Sequence, residues 1–166
     1  MEFEELYEQY SQTIYQYIYM LVGETRQAED LTQETFTKAW RSLDRYEGKS
    51  TYKTWLTAIA RYTVFDYLRK KTPFTWQSIL KPDDIVATYT PESWLLQNEE
   101  QFELYEAIGA LKFEYREAIV LTKIEGYTAN QAADILGWKV KKVHNAVERG
   151  MKQLKLTLQG GGFDGQ

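Results

Sequence analysis

Only three prolines occur in this chain, at positions 73, 82 and 91, and they crowd into one short stretch. A proline inside a helix removes a hydrogen bond and clashes with the preceding turn, at a cost of about 3 kcal/mol. The segments on either side carry no such break, and both repeat apolar residues at helical spacing. Phe3, Leu6, Tyr7, Tyr10, Ile14, Tyr17, Ile18 and Leu21 keep that spacing until Gly23. A second helix is expected from Thr25, its N-cap, to about Leu43, with a buried stripe of Ala28, Leu31, Thr35, Phe36, Ala39 and Trp40. Ser50 and Thr51 are candidate caps for a third, over 52–71, whose stripe is Trp55, Leu56, Ile59, Ala60, Thr63, Tyr67 and Leu68.

Periodicity fails between Thr72 and Pro91, which reads as a linker with at most short helical pieces. Helix is expected again from Ser93 to Leu111 and from Phe113 to Ile124, with a turn at Gly126. The stretch YTANQAADILGWKVKKVHNAVERGMKQLK then gives a short helix capped by Thr128, with Ala132, Ala133, Ile135 and Leu136 inside. Gly137 follows where a left-handed residue is wanted, and a longer helix begins near Lys139. The core stripe expected of that helix is Val140, Val143, Val147, Met151, Leu154 and Leu158. Short helix, glycine turn and second helix form a helix-turn-helix pattern. The expected fold is all-α: a helical domain over 1–71, a linker over 72–92, a second helical domain over 93–158 and a glycine-rich tail over 159–166.

Charge also changes at the first of these boundaries, and again near residue 110. Residues 1–71 hold ten basic and eleven acidic side chains, 72–110 one against seven, and 111–166 nine against six. An acidic middle between more basic flanks fits either a mask for a polyanion-binding surface or a solvated connector. Cysteine is absent and His144 is the sole histidine, so thiol chemistry, zinc sites and Ser-His-Asp catalysis have little to work with. No phosphate-cradling glycine loop occurs either, and neither an enzyme nor a cofactor is expected. The segment MEFEELYEQY lacks the basic-then-apolar order of a signal peptide, and no apolar run approaches the roughly 18 residues of a membrane helix. A cytoplasmic protein is expected.

Three polar faces bear on function. On the last helix Lys139, Lys141, Lys142, His144, Asn145, Arg149, Lys152 and Lys155 lie off the apolar stripe, opposed only by Glu148. Lysines there suit phosphates, Asn145 suits adenine, and Arg149 suits guanine or phosphate. The plainer reading is a solvated basic face that complements the helix dipole. The turn glycine and the alanine-rich helix before it favour DNA. On the third helix and the loop before it, Arg45, Tyr46, Lys49, Tyr52, Lys53, Arg61, Tyr62, Phe65, Arg69, Lys70 and Lys71 mix cations with aromatics. That mixture suits single-stranded nucleic acid, and equally a core with a charged rim. On the second helix Glu29, Asp30, Gln33, Glu34, Thr37 and Arg41 form a polar face whose ordinary reading is a solvated exterior.

Three segments together, AEDLTQETF, TWLTAIARYTVFDYLRKK and YTANQAADILGW with VERGMKQL, resemble in order and spacing the extracytoplasmic-function (ECF, group IV) sigma factors of bacterial RNA polymerase. The resemblance covers residues 3 to about 156 and implies sigma regions 2 and 4 joined by a linker. It implies that Asp30, Gln33 and Glu34, with Glu29, Thr37, Lys38 and Arg41, dock on the β′ clamp coiled coil of the core enzyme, and that region 4 meets the β flap. It implies that Arg45, Lys49, Tyr52, Lys53, Arg61 and Arg69 serve the −10 element, and that the helix from Lys139 reads the −35 element. Where many members carry S-x-x-T-V-K-S-R, this chain reads Lys139, Val140, Lys141, Lys142, Val143, His144, Asn145 and Ala146, and Gly150 and Met151 stand where alanine and arginine are common. An anti-sigma factor, often membrane-tethered, is implied as a further partner. The linker's 21 residues reach at most about 70 Å, similar to the span of two promoter elements two helical turns apart. The rival reading is a stand-alone helix-turn-helix regulator whose first bundle dimerises.

Overall fold

The computed structural model describes residues 1–71 and 99–160. The expected linker, the start of the helix placed at Ser93 and the end of the glycine-rich tail lie outside the described residues.

The first unit is three helices: α1 (Phe3–Val22), α2 (Thr25–Ser42) and α3 (Tyr52–Lys71), with a 3-10 turn over Leu43–Arg45. Helix α1 stops where expected, at Gly23 with φ of +73°, whose N–H donates to the Tyr19 carbonyl at 2.8 Å. The N-cap position of α2 falls on Glu24 instead of Thr25, and Glu24 makes no capping hydrogen bond. Thr51 does cap α3, its Oγ1 accepting the Thr54 N–H at 3.1 Å.

The buried arc of α2 is Ala28, Leu31, Thr32, Thr35, Phe36 and Ala39, and Trp40 is not in it. Trp40 stands 63% exposed. Its position lies roughly 110° around the helix from the middle of that arc, beyond what α1 and α3 cover. Thr32 and Thr35 are buried because their hydroxyls donate back to the carbonyls of Ala28 and Leu31, at 2.6 and 2.7 Å. Helix α3 packs against α1 and α2 on one side and against the second unit on the other. Apolar and threonine residues therefore ring it on several faces. Leu56, Thr57, Ala60, Thr63, Val64 and Leu68 are buried, whereas Trp55, Ile59 and Tyr67 are half-buried.

The second unit contains α4 (Glu99–Gly109), α5 (Phe113–Ile119), a π-helical turn (Val120–Ile124), α6 (Ala129–Leu136) and α7 (Val140–Leu158). Helix α6 opens on a capping box: Thr128 Oγ1 accepts the Gln131 N–H at 3.1 Å, and Gln131 Oε1 accepts the Thr128 N–H at 2.9 Å. It closes at Gly137, φ +71°, a left-handed turn that a β-carbon would strain. This glycine sets α7 off in a new direction and makes the helix-turn-helix.

The core stripe of α7 differs from the expected one. Val143, Ala146, Gly150 and Leu154 are buried, Val147 and Leu158 are half-buried, and Met151 is 43% exposed. Small residues at 146 and 150 let α5 approach closely, which turns that side of the helix inward. A β-carbon on Gly150 would lie 2.5 Å from Ile119 Cδ1 and 3.1 Å from Tyr115 Cβ. Gly150→Val is therefore expected to lower stability by about 1–3 kcal/mol through overpacking. Gly150→Ala should cost less than about 1 kcal/mol, because the gain in helix propensity offsets a shift of the Ile119 tip. Thermal unfolding of the two variants checks this, and an unchanged valine variant would mean that α5 and α7 are not in close contact.

The two units share one apolar core. Helix α1 packs on α4 and α5, and α3 packs on α6.

Candidate nucleic-acid interface

The outer face of α7 is built as the sequence pattern requires. Lys139, Lys141, Lys142, His144, Asn145, Arg149, Lys152 and Lys155 are all exposed, with Glu148 among them. Because α6 and the Gly137 turn fix the helix start, the first turn of α7 projects outward with its cations together. A groove of about 360 Å³ runs between α5 and this first turn, lined by Glu114, Tyr115, Lys139, Lys142, Asn145 and Arg149. Lys142 is partly engaged: its Nζ lies 3.4 Å from Glu114 Oε1 and 4.2 Å from the centre of the Trp138 ring. A convex basic helix with an amide in its second turn and a guanidinium at its middle matches what a major groove accepts.

The residues expected near the −10 element separate into two groups. Arg45 and Lys49 lie exposed around the loop after α2, where Lys49 pairs loosely with Glu47 at 3.4 Å. Tyr52 stacks on Tyr46, ring centres 4.5 Å apart and 25° between planes, and Trp55 closes the cluster at 5.1 Å from Tyr46. The Tyr46 hydroxyl donates to the Ser50 carbonyl and ties the loop back on itself. Arg69 is exposed and, with Lys70, holds Asp66 at 2.9 and 3.1 Å. The hydrogen bond from Lys70, then that from Arg69, keep the Asp66 carboxyl below its ordinary range.

Lys53 and Arg61 face the second unit instead. Arg61 donates from Nε to Glu117 Oε1 at 2.7 Å and from Nη2 to Oε2 at 3.2 Å, with its guanidinium 4.6 Å from the Phe65 ring centre. Burial opposes the charge on Arg61, but Glu117 outweighs it and raises the guanidinium's pKa. Lys53 Nζ is 3.8 Å from Glu125 Oε1, and burial raises the Glu125 pKa against the lowering pull of Lys53. Sequence reasoning missed Glu117, Glu125 and Tyr127. One signal was present: Glu117 stands four residues from both Phe113 and Leu121, a carboxylate on an apolar stripe.

On α2, Glu29, Asp30, Gln33, Glu34, Thr37 and Arg41 are exposed along one face. Lys38 is half-buried, bound to Glu34 at 3.1 Å and to Thr63 Oγ1 at 3.1 Å. Gln33 Nε2 donates to the Tyr7 hydroxyl at 3.2 Å. Beside this face Phe3, Tyr7, Phe36 and Trp40 line a hollow of about 420 Å³, so the surface is acidic with an apolar shoulder. The shoulder departs from the sequence expectation, which places Trp40 on the core stripe of α2.

No cluster of His, Asp or Glu able to hold a metal occurs among the described residues. None of their helices is long and apolar enough to cross a membrane.

A three-helix unit whose second helix carries an exposed acidic face, followed by a helix-turn-helix unit with a basic second helix, is the arrangement of the sigma-70 class of DNA-binding transcription factors, and the family matches agree. Residues 6–73 match the family model of Sigma-70 region 2, and residues 101–154 match that of Sigma-70, region 4. The chain is 32% identical to the ECF RNA polymerase sigma factor SigX of Bacillus subtilis, over 95% of this chain and 84% of that protein. It is 30% identical to the RNA polymerase sigma factor YlaC of the same organism, over 93% and 91%. Among solved structures, the sigma factor RpoE of Bartonella quintana, in complex with the anti-sigma factor NepR, superposes with a TM-score of 0.76 at 25% identity, covering 95% of this chain and 96% of that one. This chain belongs to the ECF RNA polymerase sigma factors.

Proposed function

We propose that the chain brings core RNA polymerase to promoters through three surfaces and that an anti-sigma factor withholds it in trans. The polar face of α2, from Glu29 to Arg41, docks on the β′ clamp coiled coil, where carboxylates and an amide on a rigid helix meet arginines. Trp40 adds an apolar anchor to that face. The loop before α3, with Arg45, Lys49 and Tyr52, receives the opened −10 strand, cations following phosphates and rings stacking on bases. Arg69 extends that surface along α3, whereas Lys53 and Arg61 join it only when released from Glu125 and Glu117. Helix α7 reads the −35 element, and its unit meets the β flap. Anti-sigma control is supported by the likeness to RpoE, which was solved with such a partner. The observation that carries the reading is the cluster of exposed cations on α7 in a segment that matches sigma region 4.

Run-off transcription with purified protein and bacterial core polymerase, on a library of −35 and −10 variants, tests it. Selective initiation is expected. No initiation and no complex with core would favour a stand-alone regulator that binds a two-fold operator by itself.

Two substitutions on α7 separate base reading from phosphate binding. Asn145→Ala should relax base preference at one −35 position, with a loss of about 1–3 kcal/mol on the preferred sequence. Lys152→Ala should weaken all sequences alike and reduce the salt slope of binding by roughly one. Binding isotherms of the polymerase complex at several salt concentrations distinguish the two patterns.

A further inference from the structure

Lys142, Asn145 and Arg149 stand at i, i+3 and i+7 on α7 and so form one line along the helix. All three border the groove between α5 and the start of α7. Of the described cations on α7, Lys142 has its ammonium gripped from two sides. The Glu114 carboxylate lies 3.4 Å away, and the centre of the Trp138 ring 4.2 Å away. Both grips come from well-anchored parts of the fold. Trp138 packs against the core, and its backbone N–H donates to the Ala133 carbonyl at 3.0 Å across the Gly137 turn. Glu114 stands in the first turn of α5, which the small residues Ala146 and Gly150 bring close to α7.

A lysine is a point charge on a flexible stem, and left free it follows any phosphate it meets. Phosphate contacts carry no sequence information, whereas donors aimed at a base edge do. Glu114 works against the first use and for the second. Among the described residues that line the groove it is the only acid beside four cations, so it weakens the pull on a phosphate that enters there. The O6 and N7 edge of guanine carries no net charge, and it can accept from the ammonium while the carboxylate keeps its place. Both side chains of the pair keep part of their surface in water, so a base edge can join them without breaking the grip.

We infer that Glu114, with Trp138, is a specificity-determining positioning residue of the −35 reader: the two hold the Lys142 ammonium toward a guanine edge at one −35 position and away from the phosphates. The inference rests on the reading of α7 as the −35 helix, and its test keeps the two apart.

The full chain, bound to core polymerase, is used to select from duplexes randomised over the −35 element, at several salt concentrations. Wild type should prefer guanine at one position by about tenfold, within the range of a single good base-edge contact. Lys142→Ala should abolish that preference and leave the others in place. Glu114→Gln should flatten the same position to less than about threefold. The salt slope of binding should steepen by roughly one at the same time, as the freed lysine turns to phosphate. In a Lys142→Ala background, Glu114→Gln should change neither quantity. A carboxylate that serves only the dipole at the start of α5 would alter stability and leave base preference alone.

Should the glutamine variant lose helicity by circular dichroism, Glu114→Asp gives the same reading, because its shorter stem draws the carboxylate back from Lys142 Nζ. Wild type that selects a −35 sequence, while Glu114→Gln keeps both its preference and its slope, overturns the inference and leaves the −35 reading standing. A Lys142→Ala variant that weakens all sequences alike also overturns it, since the lysine would then be a phosphate contact. Wild type that selects no −35 sequence with core overturns both.

Discussion

Replacing Arg116 with leucine is expected to destabilise the protein by on the order of 4 kcal/mol, enough to unfold much of a marginally stable chain at room temperature. Arg116 is fully buried on α5. Its guanidinium donates to the Leu21 carbonyl at 2.8 Å, Gly109 at 2.9 Å, Leu111 at 3.0 Å and Ile108 at 3.3 Å. The carbonyls of Ile108 and Gly109 end α4, and that of Leu21 ends α1. Helix ends leave carbonyls that the helix itself cannot satisfy, and here one planar fork of donors satisfies several of them. Without it, each orphaned buried carbonyl costs about 1–3 kcal/mol, less than additively because water enters as the site loosens. Arg116→Lys should fall between wild type and leucine: the charge stays, but three donors on one nitrogen cannot reach both helix ends. Denaturant unfolding followed by circular dichroism measures both variants. A leucine variant within about 1 kcal/mol of wild type would show that water replaces the guanidinium without penalty.

Arg116 also shows why part of this fold was legible in the sequence and part was not. Helix positions depend on contacts within one or two turns, so the end of α1 at Gly23, the span of α3 and the helix-turn-helix around Gly137 could be read directly. The exposed face of α7 was equally legible, because its cations are spaced against an apolar stripe. The rim of a stripe is a different matter, since it depends on how far the neighbouring helices reach. That is why Trp40 and Met151, each apolar and correctly spaced, stand in solvent, while Ala146 and Gly150 are buried. Small side chains carry little hydropathy, and only the approach of α5 gives them their role. Buried threonines were half legible: Thr35 and Thr63 fit an apolar stripe, but Thr57 is held by a hydroxyl from Tyr127, 70 residues away. The Arg61–Glu117 pair spans 56 residues, and no local pattern couples the two. Two of the six residues of a candidate DNA surface, Lys53 and Arg61, thus face another part of the same chain.

Changing Asp30 and Glu34 together to alanine should weaken binding to core polymerase by roughly 100-fold and leave the helices intact. Both carboxylates are exposed on α2, one turn apart on the same side. Asp30 makes no cross-helix contact that α2 depends on, and the Glu34–Lys38 pair is an i, i+4 surface bridge worth about 0.3–0.5 kcal/mol. Alanine is the better helix former, which offsets that loss. In a complex the balance is different. A charge-assisted hydrogen bond to an arginine in a water-poor interface contributes about 1.5–3 kcal/mol. Two of them, partly redundant, give about 3 kcal/mol, and each 1.4 kcal/mol is tenfold in affinity. Lys38 is the internal control. It is half-buried against Thr63 and 5.2 Å from the Tyr62 ring centre, so Lys38→Ala should lower stability more and affinity less than the double change. Titration of labelled protein with core polymerase, beside circular dichroism of each variant, separates the two effects. Loss of affinity with unchanged helicity identifies the face of α2 as the docking surface. Unchanged affinity would return that face to the solvent and leave the hollow beside Trp40 as the region to test for core contact.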